Sequence, residues 1–170
     1  MDAPRSGSGN GAGSRPTLRR SAPWFVAALL EPSAYPHPVD RVEMVETHIS
    51  WVFLAGERVY KVKKPVDLGF LDFRTLRRRR HFCREEVRLN RRLAPDTYLG
   101  MVALKGSRPR IQIGGRGRTI EVAVEMRRLP ADRMLDQLVR AGRAEAAQLR
   151  TVAHQRPDRA GAVGTCIRRQ

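Results

Sequence analysis

The fold is decided by two stretches of the sequence, Val59-Tyr60-Lys61-Val62-Lys63 and the arginine-rich segment from Thr75 to Leu93. The first alternates in polarity, which is typical of a half-buried strand, and the second carries apolar side chains at helical spacing. Two more strand-like runs, Val42–Glu46 and Ile49–Leu54, come before the first stretch, and the turn-like segment Ala55–Arg58 separates it from them. The sequence therefore predicts a three-strand meander followed by one long helix.

The segment after this helix returns to strand patterns. A run at Leu99–Leu104 leads into Arg110–Ile113, and Thr119–Met126 alternates apolar and polar side chains. Gly114-Gly115-Arg116-Gly117 is typical of a hairpin turn, and an amphipathic helix is predicted over Ala131–His154. This order predicts an α+β fold in which one long helix packs on an antiparallel sheet of about five strands.

The chain is strongly basic. Its 170 residues include 33 Lys and Arg against 17 Asp and Glu, a formal net charge of +16. No apolar run approaches the ~20 residues that cross a bilayer, and no export cleavage site follows the short apolar stretch after Arg19-Arg20. Cys83 and Cys166 are too few for a disulfide framework or a four-cysteine zinc site. We therefore expect a cytoplasmic protein without membrane contact.

One carboxylate of the predicted helix lies among apolar side chains. On a helical wheel at about 100° per residue, Glu86 falls in the middle of the apolar stripe, while most of the arginines fall on the solvated side. A carboxylate in a buried stripe needs a partner, because desolvation is costly. That partner is either a local residue, Asn90 or Arg79, or a lysine of the sheet beneath the helix. Lys61 and Lys63 are the candidates in the sheet, because they share one strand face.

Three long blocks of the sequence run from Glu46 to Gly56, from Val59 to Phe73 and from Arg78 to Pro95. These blocks resemble a bacterial family related to aminoglycoside phosphotransferases, in which a kinase-like domain is often followed by a P-loop ATPase domain. The resemblance extends roughly from Leu29 to His154. An inward lysine opposite a glutamate on a helix is also how protein-kinase-like folds fix a phosphate-binding lysine. The resemblance therefore implies the small lobe of a kinase-like fold that binds a nucleotide, ATP.

The resemblance also implies which residues would meet the nucleotide. A lysine of the third strand would hold the phosphates, Glu86 would hold that lysine, and the loop between the first two strands would cover the phosphates. The strand that ends at Arg127 would run into a hinge, where adenine would bind backbone groups. The residues implied in this way are Lys61, Lys63, Glu86, Thr47, Ser50, Glu125, Met126 and Arg127. Lys61 and Lys63 point the same way, so the choice of phosphate lysine stays open.

Phosphoryl transfer needs groups that the sequence lacks. An aspartate near the attacking hydroxyl and Asp/Asn ligands for magnesium belong to the large lobe of such folds, and no His-Gly-Asp-like segment is present. We therefore assign no catalytic or metal-binding residue, and expect Mg²⁺ only where a large lobe is present. We interpret residues 1–23 as a disordered basic leader, 24–129 as the small lobe, 130–155 as the helical start of a truncated large lobe, and 156–170 as an irregular tail.

Two origins of such a chain remain open. The tail has no apolar periodicity, which favours a frameshift or a premature stop over a naturally short protein. A small lobe alone would have no turnover. It would also expose the face that normally covers its partner lobe, and exposed apolar surface of that kind favours self-association.

The principal alternative is a basic nucleic-acid-binding or interaction module. The net charge of +16 is typical of such proteins. The stacking aromatic residues that should accompany it are few, since aromatic residues make up 6% of the chain and fit core positions. We therefore expect only weak, non-specific nucleic-acid binding. Metal chemistry is not indicated, because the four histidines lie at no ligand-like spacing.

Overall fold

The computed structural model describes residues 22–130. Most of the predicted basic leader (1–23), nearly all of the predicted helix (130–155) and the whole predicted tail (156–170) therefore lie outside the described residues. Within the described part, no helix is long and apolar enough to cross a membrane.

The described part is α+β, as the sequence predicts. A short helix α1 (Trp24–Ala28) and a 3-10 turn (Pro32–Ala34) precede the sheet, and one longer helix, α2 (Leu76–Asn90), follows its third strand. The strands are β1 (Val42–Glu46), β2 (Ser50–Ala55), β3 (Arg58–Lys63), β4 (Tyr98–Ser107), β5 (Arg110–Ile113) and β6 (Thr119–Arg127). They form one antiparallel sheet in the order β1-β2-β3-β6-β4-β5. The sheet has six strands, where the sequence predicted about five.

The structure also corrects the hairpin turn that was predicted at Gly114–Gly117. Gly114–Gly117 does not join two paired strands, because β4 lies between β5 and β6. β4 continues to Ser107, beyond its predicted end at Leu104, and pairs there with β5. The glycine-rich segment crosses β4 instead: the Gly114 NH donates to the Ala103 carbonyl at 2.8 Å, and the Arg118 carbonyl accepts from the Gly106 NH at 3.1 Å.

Helix α2 begins where a capping side chain is available. Thr75 caps the helix, since its Oγ1 accepts from the Arg78 NH at 3.3 Å. The helix ends at Asn90, a turn before the predicted end at Leu93. Within residues 22–130, the prediction that one long helix packs on the sheet is confirmed.

The sheet is covered on both faces. Alternation along β6 places Ala123 in one core cluster and Val122 and Val124 in another, so the two clusters lie on opposite faces. The larger cluster, which includes Phe53 and Tyr60, packs beneath α1 and the chain that follows it, and α2 covers the smaller one through Cys83 and Val87. The N-terminal layer adds a second cover that the predicted one-helix arrangement did not include.

A buried ion pair fixes the first half of α2. Arg79 donates to Glu121 Oε2 from Nε at 2.9 Å and from a terminal nitrogen at 2.6 Å, and both residues are buried. Its other terminal nitrogen donates to the carbonyls of Phe73 and Arg74 at 2.7 and 2.8 Å. Glu121 Oε1 accepts from the Val122 NH at 3.0 Å. Every oxygen of this buried carboxylate therefore has a donor.

Replacing Arg79 with alanine is expected to destabilise the protein by about 3–5 kcal/mol, because Glu121 would keep a buried carboxylate without its cation. The measurement is the free energy of unfolding in urea, followed by circular dichroism. Arg77→Ala is the matched control, since Arg77 lies exposed on the same helix, and it should change stability by less than about 0.5 kcal/mol. Equal midpoints for the two variants would contradict the structural role of the pair.

Candidate functional site

Two lysines of β3 and one glutamate of α2 form a cluster between the helix and the sheet. Lys61 and Lys63 lie on the same face of β3, while Val62 between them packs into the larger core cluster. Lys61 Nζ donates to Glu86 Oε1 at 2.8 Å, and Lys63 Nζ donates to Glu86 Oε2 at 2.6 Å. Of the alternatives left open for Glu86, the structure shows the sheet lysines, and both of them pair with it.

The local alternatives for Glu86 are wrong. Arg79 pairs with Glu121 instead. Asn90 donates from its side-chain amide to the backbone carbonyl of Glu86 at 2.8 Å, and this contact leaves the carboxylate to the lysines. The position of Glu86 on the buried stripe therefore did identify a carboxylate that the sheet must neutralise.

The charges of the cluster set the pKa of Glu86. Burial raises the pKa of this carboxyl, but the charges of Lys63 and Lys61 and their hydrogen bonds outweigh it and hold the pKa below its ordinary value. Glu86 is therefore ionised at neutral pH. Two ammonium groups against one carboxylate leave the cluster with a net charge of +1, which favours an anionic ligand.

Burial separates the two lysines. The side chain of Lys61 is 29% exposed, whereas that of Lys63 is 6% exposed. Lys63 Nζ also lies 4.9 Å from the centroid of the Phe73 ring, a cation–π contact that further encloses it. Only Lys61 is open enough to meet a ligand from solvent.

An apolar strip lies beside Lys61 on the same face of the sheet. Val52 is the direct cross-strand neighbour of Lys61, and Leu54 and Met126 both pair with Val59. These four apolar residues are half-buried, and Val52, Leu54 and Val59 belong to neither core cluster. An exposed cation beside half-open apolar side chains suits a ligand that has an anionic part and an aromatic part.

The loop between β1 and β2 is held by its own hydrogen bonds. Thr47 Oγ1 accepts from the Ser50 NH at 2.9 Å and donates to the Ser50 carbonyl at 3.0 Å. Lys64 Nζ donates to the Thr47 carbonyl at 2.5 Å and to Glu46 at 2.6 Å. Thr47 and His48 are exposed, so this loop presents its tip to solvent.

Ser50 lies on the Lys63 side of the sheet but does not reach its surface. It pairs with Lys63 across β2 and β3 and is fully buried. Its hydroxyl oxygen has no hydrogen-bond partner among the described residues. The structure thus brings Ser50 next to the cluster, and it offers Thr47 rather than Ser50 at the surface.

Glu125, Met126 and Arg127 form the end of the central strand β6. The Glu125 carboxylate accepts from Arg58 and from the Tyr60 hydroxyl, both at 3.2 Å. The Arg127 NH donates to the Thr97 carbonyl at 2.8 Å. These groups already form hydrogen bonds within the protein, so an adenine contact here would need other backbone groups of the segment.

The sequence analysis missed one polar feature near the cluster. Glu121 lies between Ile120 and Val122 in an alternating strand, so a sheet covered on one side would have placed it in solvent. No signal within the strand marks it as buried, and its partner in the structure is Arg79 of α2, which the sequence analysis had considered as a partner for Glu86. Cys83 lies nearby in the smaller core cluster, and burial raises the pKa of its thiol to about 11, which disfavours the nucleophilic thiolate.

No group of three or more His, Cys, Asp or Glu in residues 22–130 lies close enough together to hold a metal ion.

The fold and the cluster define an α+β protein with a lysine–glutamate pair between its central sheet and its longer helix. The chain is 38% identical to the uncharacterized protein Rv2004c of Mycobacterium tuberculosis and to the uncharacterized protein Mb2027c of Mycobacterium bovis. Each match covers 78% of this chain and 28% of the relative. The chain thus spans little more than a quarter of the length of these curated relatives. No family model and no solved structure matches it.

The stability contributed by Glu86 is expected to depend on pH. Its folded-state pKa lies below the ordinary value of 4.5, so its contribution is fully present above that value and is lost as the pH falls through the folded-state pKa. The measurement compares the unfolding free energies of the wild type and Glu86→Gln from neutral to acidic pH. Their difference should shrink as the pH falls, because all other carboxylates are common to both proteins. A difference that grows towards low pH would contradict the assignment.

Proposed function

We propose that this chain is the nucleotide-binding small lobe of an aminoglycoside-phosphotransferase-like protein with a kinase-like fold. The observation that carries the proposal is the 2.8 Å contact between Lys61 of the third strand and Glu86 of the helix that follows it. In protein-kinase-like folds a lysine of the third strand and a glutamate of the next helix form this pair, and the lysine positions the phosphates of ATP.

ATP would lie on the open face of the sheet beside α2. Its α- and β-phosphates would meet Lys61, which is the exposed lysine of the cluster. The adenine ring would lie against the apolar strip formed by Val52, Leu54 and Val59, which needs a flat apolar cover. The loop that contains Thr47 would close over the phosphates. The segment after Glu125, Met126 and Arg127 would supply backbone groups to adenine.

Lys63 has a different part in this proposal. It is buried against Phe73 and donates to the second oxygen of Glu86, so it orients the carboxylate and does not touch the ligand. Glu86 in turn directs the Lys61 ammonium towards solvent. The bound phosphates would thus meet one accessible cation whose position is set by the half-buried Glu86 and the buried Lys63.

The proposed chain binds ATP but does not transfer phosphate by itself. Transfer requires an aspartate that accepts the hydroxyl proton and Asp/Asn ligands for Mg²⁺, and we assign these to a large lobe outside this sequence. Exposed apolar side chains, including Phe70 at 71% and Leu129 at 50% exposure, would meet that lobe or a second copy of the chain. The protein would act in the cytoplasm, where its two thiols stay reduced.

Lys61→Ala and Glu86→Ala are each expected to weaken ATP binding at least about 10-fold, because a charge-assisted contact of about 1.5–3 kcal/mol to phosphate is lost or misdirected. Calorimetric titration of ATP into the chain measures this. Glu85→Ala is the matched control, since Glu85 pairs with Arg88 on the helix surface, and it should bind ATP within about twofold of wild type. Loss of binding in Glu85→Ala, with Glu86→Ala unchanged, would overturn the proposal.

Measurements of stability and of ATP binding should distinguish the role of Lys61 from that of Lys63. Lys63→Ala is expected to lower the unfolding free energy by about 2 kcal/mol, because a buried charged hydrogen bond and a cation–π contact are lost. Lys61→Ala should cost less than about 1 kcal/mol, since Lys61 is partly solvated. The same two variants are then titrated with ATP at a temperature at which both are folded. If Lys63→Ala abolished binding and Lys61→Ala left it intact, Lys63 would be the phosphate lysine.

A further inference from the structure

The end of the sheet away from Lys61 carries a second concentration of positive charge. Between Thr97 and Ile120 the sequence contains no Asp or Glu, and its five cations are Lys105, Arg108, Arg110, Arg116 and Arg118. No ion pair involves any of them in residues 22–130. By contrast, Arg58, Arg74, Arg78, Arg79 and Arg88 each pair with a carboxylate. Within residues 22–130, the charge of this segment is therefore not compensated by an ion pair.

The fold brings these cations together. Arg110 pairs with Ser107 at the end of the β4–β5 hairpin, and the crossing loop returns along β4, where the Arg118 carbonyl accepts from the Gly106 NH. A side chain at position 106 would place its Cβ 2.5 Å from the Arg110 carbonyl oxygen, and φ there is +141°. Only glycine permits this close approach. The hairpin end and the crossing loop therefore form one basic surface, hereafter the hairpin surface, defined by the five cations.

A groove of about 620 Å³ opens into the hairpin surface. It runs between the N-terminal layer and β5, and its polar lining includes Lys105, Arg110, Arg116, Gln112 and Ser33 against one carboxylate, Glu31. Guanidinium forks, an amide and a hydroxyl are the donors that recognise phosphate oxygens. The lining thus fits a phosphate-bearing ligand.

We propose that the hairpin surface binds the phosphodiester backbone of a nucleic acid without reading its sequence. An extended polyanion is favoured over a small phosphate compound, because Arg108 and Arg118 belong to the basic surface but lie outside the groove lining. Backbone binding is favoured over base recognition, because the segment from Leu99 to Ile120 contains no aromatic side chain on which a base could stack. Arginines that contact only phosphates give affinity that depends on salt and not on sequence.

This surface is distinct from the proposed ATP site. Lys61 lies on β3, and β6 and β4 separate β3 from β5 in the sheet. Three strand spacings of ~4.8 Å place the two regions ~14 Å apart along the sheet. A plainer role for the cations is also conceivable, since charges on the edge strand β5 would discourage pairing with another chain. That role requires no nucleic-acid binding, so a binding measurement distinguishes the two.

The experiment measures fluorescence anisotropy of a labelled DNA duplex of about 20 base pairs, in two unrelated sequences, over about 0.05–0.3 M NaCl. The full chain is compared with the triple variant Arg108→Ala/Arg110→Ala/Arg116→Ala. The matched control, Arg77→Ala/Arg84→Ala/Arg92→Ala, removes the same charge from exposed positions of α2 and the turn after it. The basic residues outside 22–130 are unchanged in both variants, so their contribution cancels.

The hairpin variant is expected to bind both duplexes at least about 10-fold more weakly at about 0.1 M NaCl, with a salt slope shallower by about 2–3. The control should lose less than about threefold, and the triple Arg→Lys variant of the hairpin should keep most of the affinity, since it keeps the charge. Lys61→Ala should bind DNA like the wild type, which separates this proposal from the ATP site.

Three results would overturn the inference. Equal losses in the hairpin and control variants would mean that net charge alone attracts the DNA. Full affinity in a correctly folded hairpin variant would leave the surface with its edge-protecting role. Tight stoichiometric binding of tripolyphosphate in the groove, with no hairpin-dependent binding of DNA, would identify a small-anion site instead.

Discussion

The arrangement of helix and sheet depends on one buried carboxylate. Glu86 projects from α2 onto the face of β3 that carries Lys61 and Lys63, and each of its oxygens accepts from one lysine. Removing this carboxylate from water costs several kcal/mol unless cations meet it, so α2 can lie on the sheet only where both lysines are within reach. The same contact that neutralises Glu86 therefore sets the position of the helix.

A second carboxylate–cation contact completes the constraint. Arg79 and Glu86 lie seven positions apart on α2, almost two full turns, and therefore on the same side of the helix and ~10.5 Å apart along its axis. Arg79 reaches Glu121 on β6, and Glu86 reaches Lys61 and Lys63 on β3. At the contact with β6 the helix contributes the cation, Arg79, and at the contact with β3 it contributes the carboxylate, Glu86. Contacts of opposite polarity to two adjacent strands prevent the helix from sliding or rotating, which apolar packing alone would tolerate.

The sequence carried enough information for the local structure of this region, and less for the topology beyond it. Strand alternation and the wheel position of Glu86 predicted the meander, the helix and a lysine partner, because these depend on periodicity within one element. The pairing of β5 with β4 could not be read from Gly114–Gly117, since a glycine-rich turn is compatible with both a hairpin and a crossing. Glu121 was missed because its burial depends on the ion pair with Arg79 of α2, 42 residues earlier in the chain, which periodicity within β6 does not indicate.

Lys61 and Lys63 were equivalent in the sequence, and only packing distinguishes them. Both lie on one strand face and both bind Glu86, so strand periodicity and charge give them the same role. Phe73 enters the site from the segment before α2 and encloses Lys63, leaving Lys61 as the exposed cation. Because Glu86 offers one oxygen to each lysine, the buried lysine holds the carboxylate in place while the exposed one keeps donors free for a ligand. A glutamate shared in this way makes a single accessible positive charge out of two lysines, and its position is determined by the buried Lys63 and the largely enclosed Glu86.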